Sequence, residues 1–299
     1  MSDVELLADL APTAVALLDR HTAAAQTWSP HHLVPWDEAR DQAAAGPFDE
    51  TQARLPRGVR SALILNLLTE DNLPFYVTAL HDCLGSIPPW STWIRKWAAE
   101  EMRHAIVIRD YLVVTRSVDL DALEAARFAH VSTGPVPSAP SALEALVYVT
   151  LQELATRVAH GNTGRALPDQ AGRAIMRRVA ADENLHHLFY RDVVATALRR
   201  HPDATVLAIE AQARHFAMPG IGIPDFQDHA AAIARAGIYS AATLHHQVLV
   251  PVLLGHWRLG DLGGLSPAAE AARQRTLRFL ERMGRLADRL DADGPAPSS

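Results

Sequence analysis

Residues 97–104 read Trp97-Ala98-Ala99-Glu100-Glu101-Met102-Arg103-His104. Residues three positions apart lie on one face of an α-helix, so Glu101 and His104 can hold the same metal ion. A lone glutamate, Glu70, precedes Glu101 by 31 residues. One Glu-x-x-His pair is typical of a solvated helix surface, because helices are rich in glutamate. A metal site therefore needs further ligands elsewhere in the chain.

A second copy of the pattern supplies those ligands. Ala181-Asp182-Glu183-Asn184-Leu185-His186 contains Glu183 and His186 at the same spacing, and Glu153 precedes Glu183 by 30 residues. In ferritin-like bundles, two helices each give a glutamate to a di-iron centre, and two others each give a Glu-x-x-His pair. The matched intervals favour this centre over two unrelated surface pairs. The predicted metal ligands are Glu70, Glu101, His104, Glu153, Glu183 and His186.

Both lone glutamates follow apolar segments, residues 62–68 before Glu70 and residues 146–151 before Glu153. A carboxylate buried in such surroundings is costly unless a metal ion or another partner neutralises it. The sequence therefore predicts an all-α fold, with a ferritin-like four-helix di-iron core inside a larger helical bundle.

We expect a single domain over residues 1–293 and a disordered tail at residues 294–299. The four ligand helices are predicted at residues 51–84, 89–116, 141–161 and 169–200. Other helices are predicted at residues 4–25, 120–129, 201–216, 225–239, 242–257 and 267–290. Gly161 and Gly164 suit the end of the third ligand helix. No segment has the alternating period of a β-strand.

Composition favours an enzyme of a reducing compartment. The chain has 299 residues, 48% of them hydrophobic, which is enough for a large core. Its start, residues 1–5, lacks the features of a signal peptide, and the apolar run at residues 248–254 is far shorter than the ~20 residues that span a bilayer. The single cysteine, Cys83, cannot form an internal disulfide. We predict a cytoplasmic protein that does not insert into a membrane and does not bind nucleic acid.

Longer motifs surround the ligands and extend beyond them. They are Thr69-Glu70-Asp71-Asn72-Leu73-Pro74, Gln152-Glu153-Leu154-Ala155-Thr156, His160-Gly161-Asn162-Thr163, His201-Pro202-Asp203-Ala204-Thr205-Val206-Leu207 and Leu262-Gly263-Gly264-Leu265-Ser266. In these motifs and both Glu-x-x-His stretches, the chain resembles the soluble acyl-[acyl carrier protein] desaturases, from about residue 28 to about residue 290. The resemblance implies an oxidoreductase of fatty acid biosynthesis with two iron ions, which uses O2 to introduce a cis double bond into a carrier-bound acyl chain. It also implies three partners: acyl carrier protein, a ferredoxin-type electron donor and a second copy of the chain in a homodimer.

The resemblance assigns roles to residues near the metal. The family's ligand is the second glutamate of its pair, which selects Glu101 and leaves Glu100 as an outer partner or a surface residue. Asp182 would orient His104 and connect it towards Trp28, although Trp28 can equally serve only to pack the N-terminal segment. Thr156 matches a catalytic threonine on the oxygen-binding side of the family's site. A hydroxyl that bonds back to its own helix is the alternative for Thr156.

An acyl channel is implied along the first and third ligand helices. Extension of their ligand-bearing faces predicts the lining residues Ala79, Leu80, Cys83, Ala145, Leu146 and Val149. An apolar stripe at helical spacing is also typical of ordinary core. The chain has Ala79 where many relatives have larger residues, and Ala159 where plant relatives have serine. Acyl length and double-bond position therefore do not carry over from the plant enzymes.

An acidic carrier would need a local basic patch, because the chain itself has a net charge of -6. The candidate residues are Arg54, Arg57 and Arg60, combined either with Arg177 and Arg178 or with Arg199 and Arg200. Solvated arginines on helix surfaces are the ordinary alternative.

The same ligand set also supports two other functions. A di-iron oxygenase would insert oxygen into a carrier-bound or free substrate in a specialised biosynthetic pathway. A protein of the ferritin type would only handle iron. Storage subunits are single short bundles, whereas about 100 residues follow the last ligand helix here, and this length favours an enzyme.

Overall fold

The structure, a computed structural model, describes residues 2–39, 47–134, 136–137, 139–220 and 222–292. These residues form helices joined by short connections, and none of them lies in a strand. The helices are α1 (Asp3–Ala24), α2 (Arg57–Asp71), α3 (Leu73–Leu84), α4 (Trp90–Thr115), α5 (Leu120–Thr133), α6 (Ala142–Ala166), α7 (Gln170–Arg200), α8 (Pro202–His215), α9 (Phe226–Arg235), α10 (Ala241–Leu244) and α11 (Pro267–Ala292). The predicted all-α fold is confirmed, and the predicted tail at residues 294–299 lies outside the described ranges.

The central bundle consists of α2 with α3, α4, α6 and α7. A short loop at residues 167–169 joins α6 to α7, and the two helices pack along each other. Asp169 begins α7 as its cap, since its carboxylate accepts a hydrogen bond of 2.7 Å from the amide of Gly172. Helix α1 packs across α7, α9 packs on α2, and α8 lies between α11 and the α6–α7 pair. The surrounding helices thereby cover much of the ligand-bearing bundle.

The first ligand helix differs from its prediction at residues 51–84. Helix α2 begins only at Arg57, directly after Pro56, and a junction at Asn72 separates it from α3. Pro74 lacks an amide proton, so it cannot continue the hydrogen-bond ladder of α2. The predicted continuous helix is therefore wrong, and the break lies two residues after Glu70.

The third ligand helix does not end at Gly161 or Gly164, as predicted, but continues to Ala166. A Cβ atom on Gly164 would lie 2.9 Å from the Cβ of Met176 on α7. This glycine therefore permits α6 and α7 to approach each other closely and does not end the helix.

The helix predicted at residues 242–257 begins as α10 and continues in wider, π-helical turns over His245–Leu249 and Pro251–His256. Pro251 lacks the amide proton that an α-helix would use at this point. Among the described helices, none combines the length and the apolar character that a bilayer span requires.

Candidate metal centre

The six predicted ligands meet at one point inside the bundle. They come from four helices: Glu70 from α2, Glu101 and His104 from α4, Glu153 from α6, and Glu183 and His186 from α7. Each of these side chains is at most 8% exposed. Four helices that are distant in sequence therefore deliver four carboxylates and two imidazoles to a single buried site.

The ligand atoms form two groups, and the atoms of each group lie within 4.8 Å of one another. One group consists of Glu70, Glu101, His104 and Glu183, and the other of Glu101, Glu153, Glu183 and His186. Glu101 and Glu183 belong to both groups, so their carboxylates are able to bridge two cations. The spacing of the motifs did not predict this sharing.

Several atoms at the centre have no hydrogen-bond partner within the described part of the chain. Nδ1 of His186 lies 2.8 Å from Oε1 of Glu101 and 3.5 Å from Oε2 of Glu153, yet none of these atoms is hydrogen bonded. Buried polar atoms of this kind are costly unless something satisfies them. Neighbouring ligands of one cation approach this closely without hydrogen bonding, and imidazole with carboxylate is a donor set that suits iron. The residues therefore fit a two-metal centre.

Burial controls the protonation of the carboxylates. It raises the pKa of Glu70 to about 8, and it raises the pKa of Glu153 well above its ordinary value. Burial opposes the ionisation of Glu183 too, but the imidazoles of His104 and His160, which lie 3.5 and 3.4 Å from its Oε1, hold the pKa of Glu183 well below its ordinary value. Without a cation, the centre keeps protons on some of its carboxylates, and a metal ion would replace them.

An outer carboxylate faces the far nitrogen of each ligand histidine. Oδ2 of Asp182 lies 3.5 Å from Nε2 of His104 and accepts a hydrogen bond of 2.8 Å from the indole of Trp28. Oε2 of Glu100 lies 3.0 Å from Nε2 of His186. Partners of this kind fix the orientation and tautomer of a ligand histidine. The structure thus brings Asp182 and Trp28 together beside His104, and it buries Glu100, which the sequence left between an outer and a surface position.

Two histidines near the centre were absent from the predicted site. His21 on α1 lies 2.8 Å from Oε2 of Glu100, and Nε2 of His160 lies 3.4 Å from Oε1 of Glu183 and 3.7 Å from Oε1 of Glu70. A signal for His160 existed, since it lies seven residues after Glu153 on the same helical face. His21 likewise continues the buried stripe of α1. Helical periodicity, applied beyond the six ligands, would have found both.

Thr156 makes both kinds of contact that the sequence allowed. Its hydroxyl lies 3.0 Å from the carbonyl oxygen of Glu153 and 3.2 Å from that of Gln152 in its own helix. It also lies 3.0 Å from Oε2 of Glu183, to which it can donate a hydrogen bond. The threonine is therefore in direct contact with one of the shared glutamates.

A cavity of about 410 Å³ begins at Glu70 and Glu101 and extends between α3 and α6. Its lining includes Ala79, Leu80, Cys83, Ala145 and Val149, five of the six residues predicted for the channel. The sixth, Leu146, is fully buried in the core and does not reach the cavity. The wall beside the metal ligands is thus mainly apolar.

A second cavity, of about 150 Å³, lies on the other side of Glu70, between α2, α6 and α9. Ala159, Thr163 and Ile238 contribute to its wall, and Thr69, Glu70 and Pro219 line both cavities. Together the two cavities pass the candidate metal centre on its Glu70 side.

Comparison with known proteins identifies the family of the chain. The sequence profile described as fatty acid desaturase matches residues 2–297. The chain belongs to the fatty acid desaturase family. DesA1 of Mycobacterium tuberculosis, named an acyl-[acyl-carrier-protein] desaturase, is 38% identical over 269 residues, which cover 87% of this chain and 79% of DesA1.

More distant members of the desaturase family agree. Acyl-[acyl-carrier-protein] desaturase 7, chloroplastic, of Oryza sativa is 30% identical over 310 residues, which cover 96% of this chain and 76% of the rice protein. The X-ray structure described as acyl-ACP desaturase DesA2 of Mycobacterium tuberculosis H37Rv has a TM-score of 0.72 at 28% identity, covering 90% of this chain and 99% of that chain. The resemblance deduced from the motifs is confirmed.

Most arginines that the sequence offered as a carrier patch on this desaturase have polar partners. Ion pairs join Arg54 to Glu38 at 3.3 Å, Arg60 to Glu50 at 3.3 Å, Arg200 to Asp9 at 2.8 Å, and Arg178 to Asp182. Arg199 donates to the hydroxyl of Thr196 at 2.9 Å. Within the described ranges, only Arg57 and Arg177 of the seven make no polar contact. The predicted candidates therefore do not form one free basic surface.

Proposed function

We propose that the chain is a di-iron, O2-dependent acyl-[acyl carrier protein] desaturase that introduces a cis double bond into a carrier-bound acyl chain. The observation that carries the proposal is the pair of ligand groups sharing Glu101 and Glu183, next to an apolar cavity that begins at Glu70. Family membership supports the same reaction, since the relatives are named acyl-[acyl-carrier-protein] desaturases.

Two bound iron ions would supply the electrons and the Lewis acidity that activate dioxygen for removal of two hydrogens. The chain's own residues hold and orient the reactants. Asp182 and Glu100 orient the ligand histidines, and the apolar wall at Ala79, Ala145 and Val149 aligns the acyl chain and excludes water.

The products distinguish this reaction from oxygen insertion. We would incubate the iron-loaded protein with ferredoxin, ferredoxin reductase and acyl carriers of several chain lengths, and then measure product masses and double-bond positions. A desaturase yields products lighter by two hydrogens. Products heavier by one oxygen would instead identify an oxygenase, and iron uptake without any product would identify an iron-handling protein.

Iron loading should become tighter as pH rises. Burial raises the pKa of Glu70 to about 8. Burial alone would lower the pKa of His186, but the charge of Glu101 and the neighbouring carboxylates of Glu100 and Glu153 together raise it well above its ordinary value. Both side chains bind metal only after losing a proton. The apparent affinity for ferrous ion should therefore rise roughly tenfold per pH unit for each proton that metal binding releases. Anaerobic titration with ferrous ion against a competing chelator, between about pH 6.5 and 8.5, measures this slope. An affinity that is constant or falls with pH would contradict the assigned ligands.

Replacement of Thr156 by valine should uncouple oxygen consumption from product formation while leaving the fold and both irons in place. Valine keeps the shape of threonine but removes the hydroxyl that lies 3.0 Å from Glu183. Because the hydroxyl would act only during oxygen activation, the loss should appear mainly in kcat. Parallel measurement of oxygen uptake and product tests this. If the rate and the coupling stay unchanged in Thr156→Val, the hydroxyl only bonds back to its own helix. Thr156→Ser should then also have an unchanged rate and coupling.

We also propose a cytoplasmic homodimer that receives electrons from a ferredoxin-type donor. All six ligands come from one chain, so each copy carries a complete site. Met102 and Ile106, one turn apart on α4, are 57% and 39% exposed, an apolar surface of the kind that a second copy covers. Sedimentation at micromolar concentration should give the mass of two chains. A monomer alone would refute the dimer without affecting the metal site.

A further inference from the structure

A groove with four arginines lies between the C-terminal part of α6 and the N-terminal part of α7. Its volume is about 520 Å³. We call it the arginine groove, and it is lined by Arg157, Arg165, Arg173 and Arg177 around a floor of Gly161, Gly164, Ala180, Ala181 and Asn184. The small floor residues leave the space open, since a Cβ on Gly161 would lie no closer than 3.9 Å to a neighbouring side chain.

No carboxylate of the described residues pairs with any of these four arginines. Arg173 donates to the carbonyl oxygens of Leu167 and Pro168 at 2.9 and 2.8 Å, and Arg165 donates to the side chain of Asn162. All four side chains are exposed. On a chain with a net charge of -6, the groove is therefore a local concentration of uncompensated positive charge.

The arginine groove and the second cavity lie on two different faces of the same stretch of α6, residues 156–165. Asn162, which accepts a hydrogen bond from Arg165, donates to the carbonyl oxygen of Ile238 at 2.7 Å. Ile238 lines the second cavity, together with Thr163 and Ala159 of α6. A protein bound in the arginine groove would thus lie beside the wall of the second cavity, which leads to Glu70.

We infer that the arginine groove binds the acidic carrier protein whose acyl chain enters the second cavity between α6 and α9. This inference rests on the proposed function. Two requirements of a carrier meet here: positive charge to hold an acidic protein, and a cavity on another face of α6 into which its flexible thioester arm extends. Arg157, Arg173 and Arg177 would contact the acidic body, and Arg165 would lie between the body and the cavity. Contacts of this exposed type act mainly through charge complementarity and weaken as salt is added.

A direct binding measurement tests the inference without requiring turnover. The probe is fluorescently labelled, palmitoyl-loaded acyl carrier protein, titrated with iron-loaded protein in the absence of reductant and followed by anisotropy. The double variant Arg157→Glu/Arg177→Glu should bind it roughly tenfold more weakly than the unaltered chain and with a smaller dependence on salt. The matched control is Arg282→Glu/Arg285→Glu, the same change of charge on exposed positions of α11 outside the groove, and it should bind as the unaltered chain does. Circular dichroism and iron content check that both variants fold.

The outcomes separate the carrier from other occupants of the groove. Equal affinity of the groove variant and the unaltered chain, or no carrier binding by either, overturns the inference. If carrier binding is unchanged but reduction by ferredoxin slows, the groove serves the electron donor. If the variant changes the sedimenting mass instead, the groove faces a second copy of the chain. If the groove variant binds the carrier more weakly but the unaltered chain makes no desaturated product, the groove still binds the carrier and the proposed reaction is refuted.

Discussion

Replacement of Glu183 by alanine is expected to prevent stable binding of both iron ions, because this carboxylate belongs to both ligand groups. Loss of an outer partner alone typically weakens a metal site 10- to 100-fold, so loss of a shared ligand should cost at least roughly 100-fold in affinity. Glu101→Ala should have the same effect. The measurement is iron per chain after anaerobic reconstitution, with desaturase activity determined on the same samples.

Glu70→Ala provides an internal comparison, because Glu70 belongs to one group only. It should weaken one ion much more than the other and leave an intermediate iron content. Glu281→Ala, on the exposed surface of α11, is the matched control and should retain two irons. Should Glu101→Ala and Glu183→Ala both keep two irons and full activity, the ligand assignment is wrong. Thermal unfolding of the metal-free variants shows whether any loss of iron reflects misfolding.

Replacement of Ala79 by phenylalanine is expected to shorten the longest acyl chain that the enzyme accepts. Ala79 lines the cavity of about 410 Å³ between α3 and α6, and a benzyl group there would occupy space that the end of the acyl chain would otherwise fill. Each methylene that no longer fits costs roughly 10- to 100-fold in discrimination. The kcat/KM values over a series of acyl carriers should therefore fall most for the longest chains, whereas iron content should remain at two per chain.

Thr78→Phe is the control for this experiment, since Thr78 is exposed one position away on α3 and does not line the cavity. It adds the same ring without entering the cavity, so the chain-length profile should not change. An unchanged profile for Ala79→Phe would show that the acyl chain does not occupy this cavity.

The helical fold and the clustering of the six candidate ligands could be predicted because both depend on local periodicity. A Glu-x-x-His pair faces one way on any helix, and burial follows from the apolar residues around it. Helix boundaries were less predictable. The break at Asn72 follows from Pro74, whereas Gly164 suited a helix end and in fact permits contact with Met176, a tertiary effect that no local signal reveals.

The parts of the site that the sequence did not reveal depend on how helices are rotated against one another. The sharing of Glu101 and Glu183 requires the relative orientation of α4 and α7, which spacing along the chain does not contain. The same limit applies to the basic surface. The sequence favoured Arg54 and Arg60 as residues that could bind an acidic carrier. In the structure they form ion pairs with Glu38 and Glu50, and the uncompensated positive charge lies in the arginine groove.

The four buried glutamates of the centre have no lysine or arginine partner among the described residues, and this affects the protein before any catalysis begins. Their mutual repulsion and desolvation weigh against the folded state, so metal binding and folding are linked. A ligand at roughly 100 times its Kd stabilises a fold by about 2.7 kcal/mol, a large fraction of ordinary protein stability. In a cell short of iron, newly made chains would lack this stabilisation and would be exposed longer to proteases. Iron supply would thus set the lifetime of the protein as well as its activity, and the amount of enzyme would follow the availability of the metal that it binds.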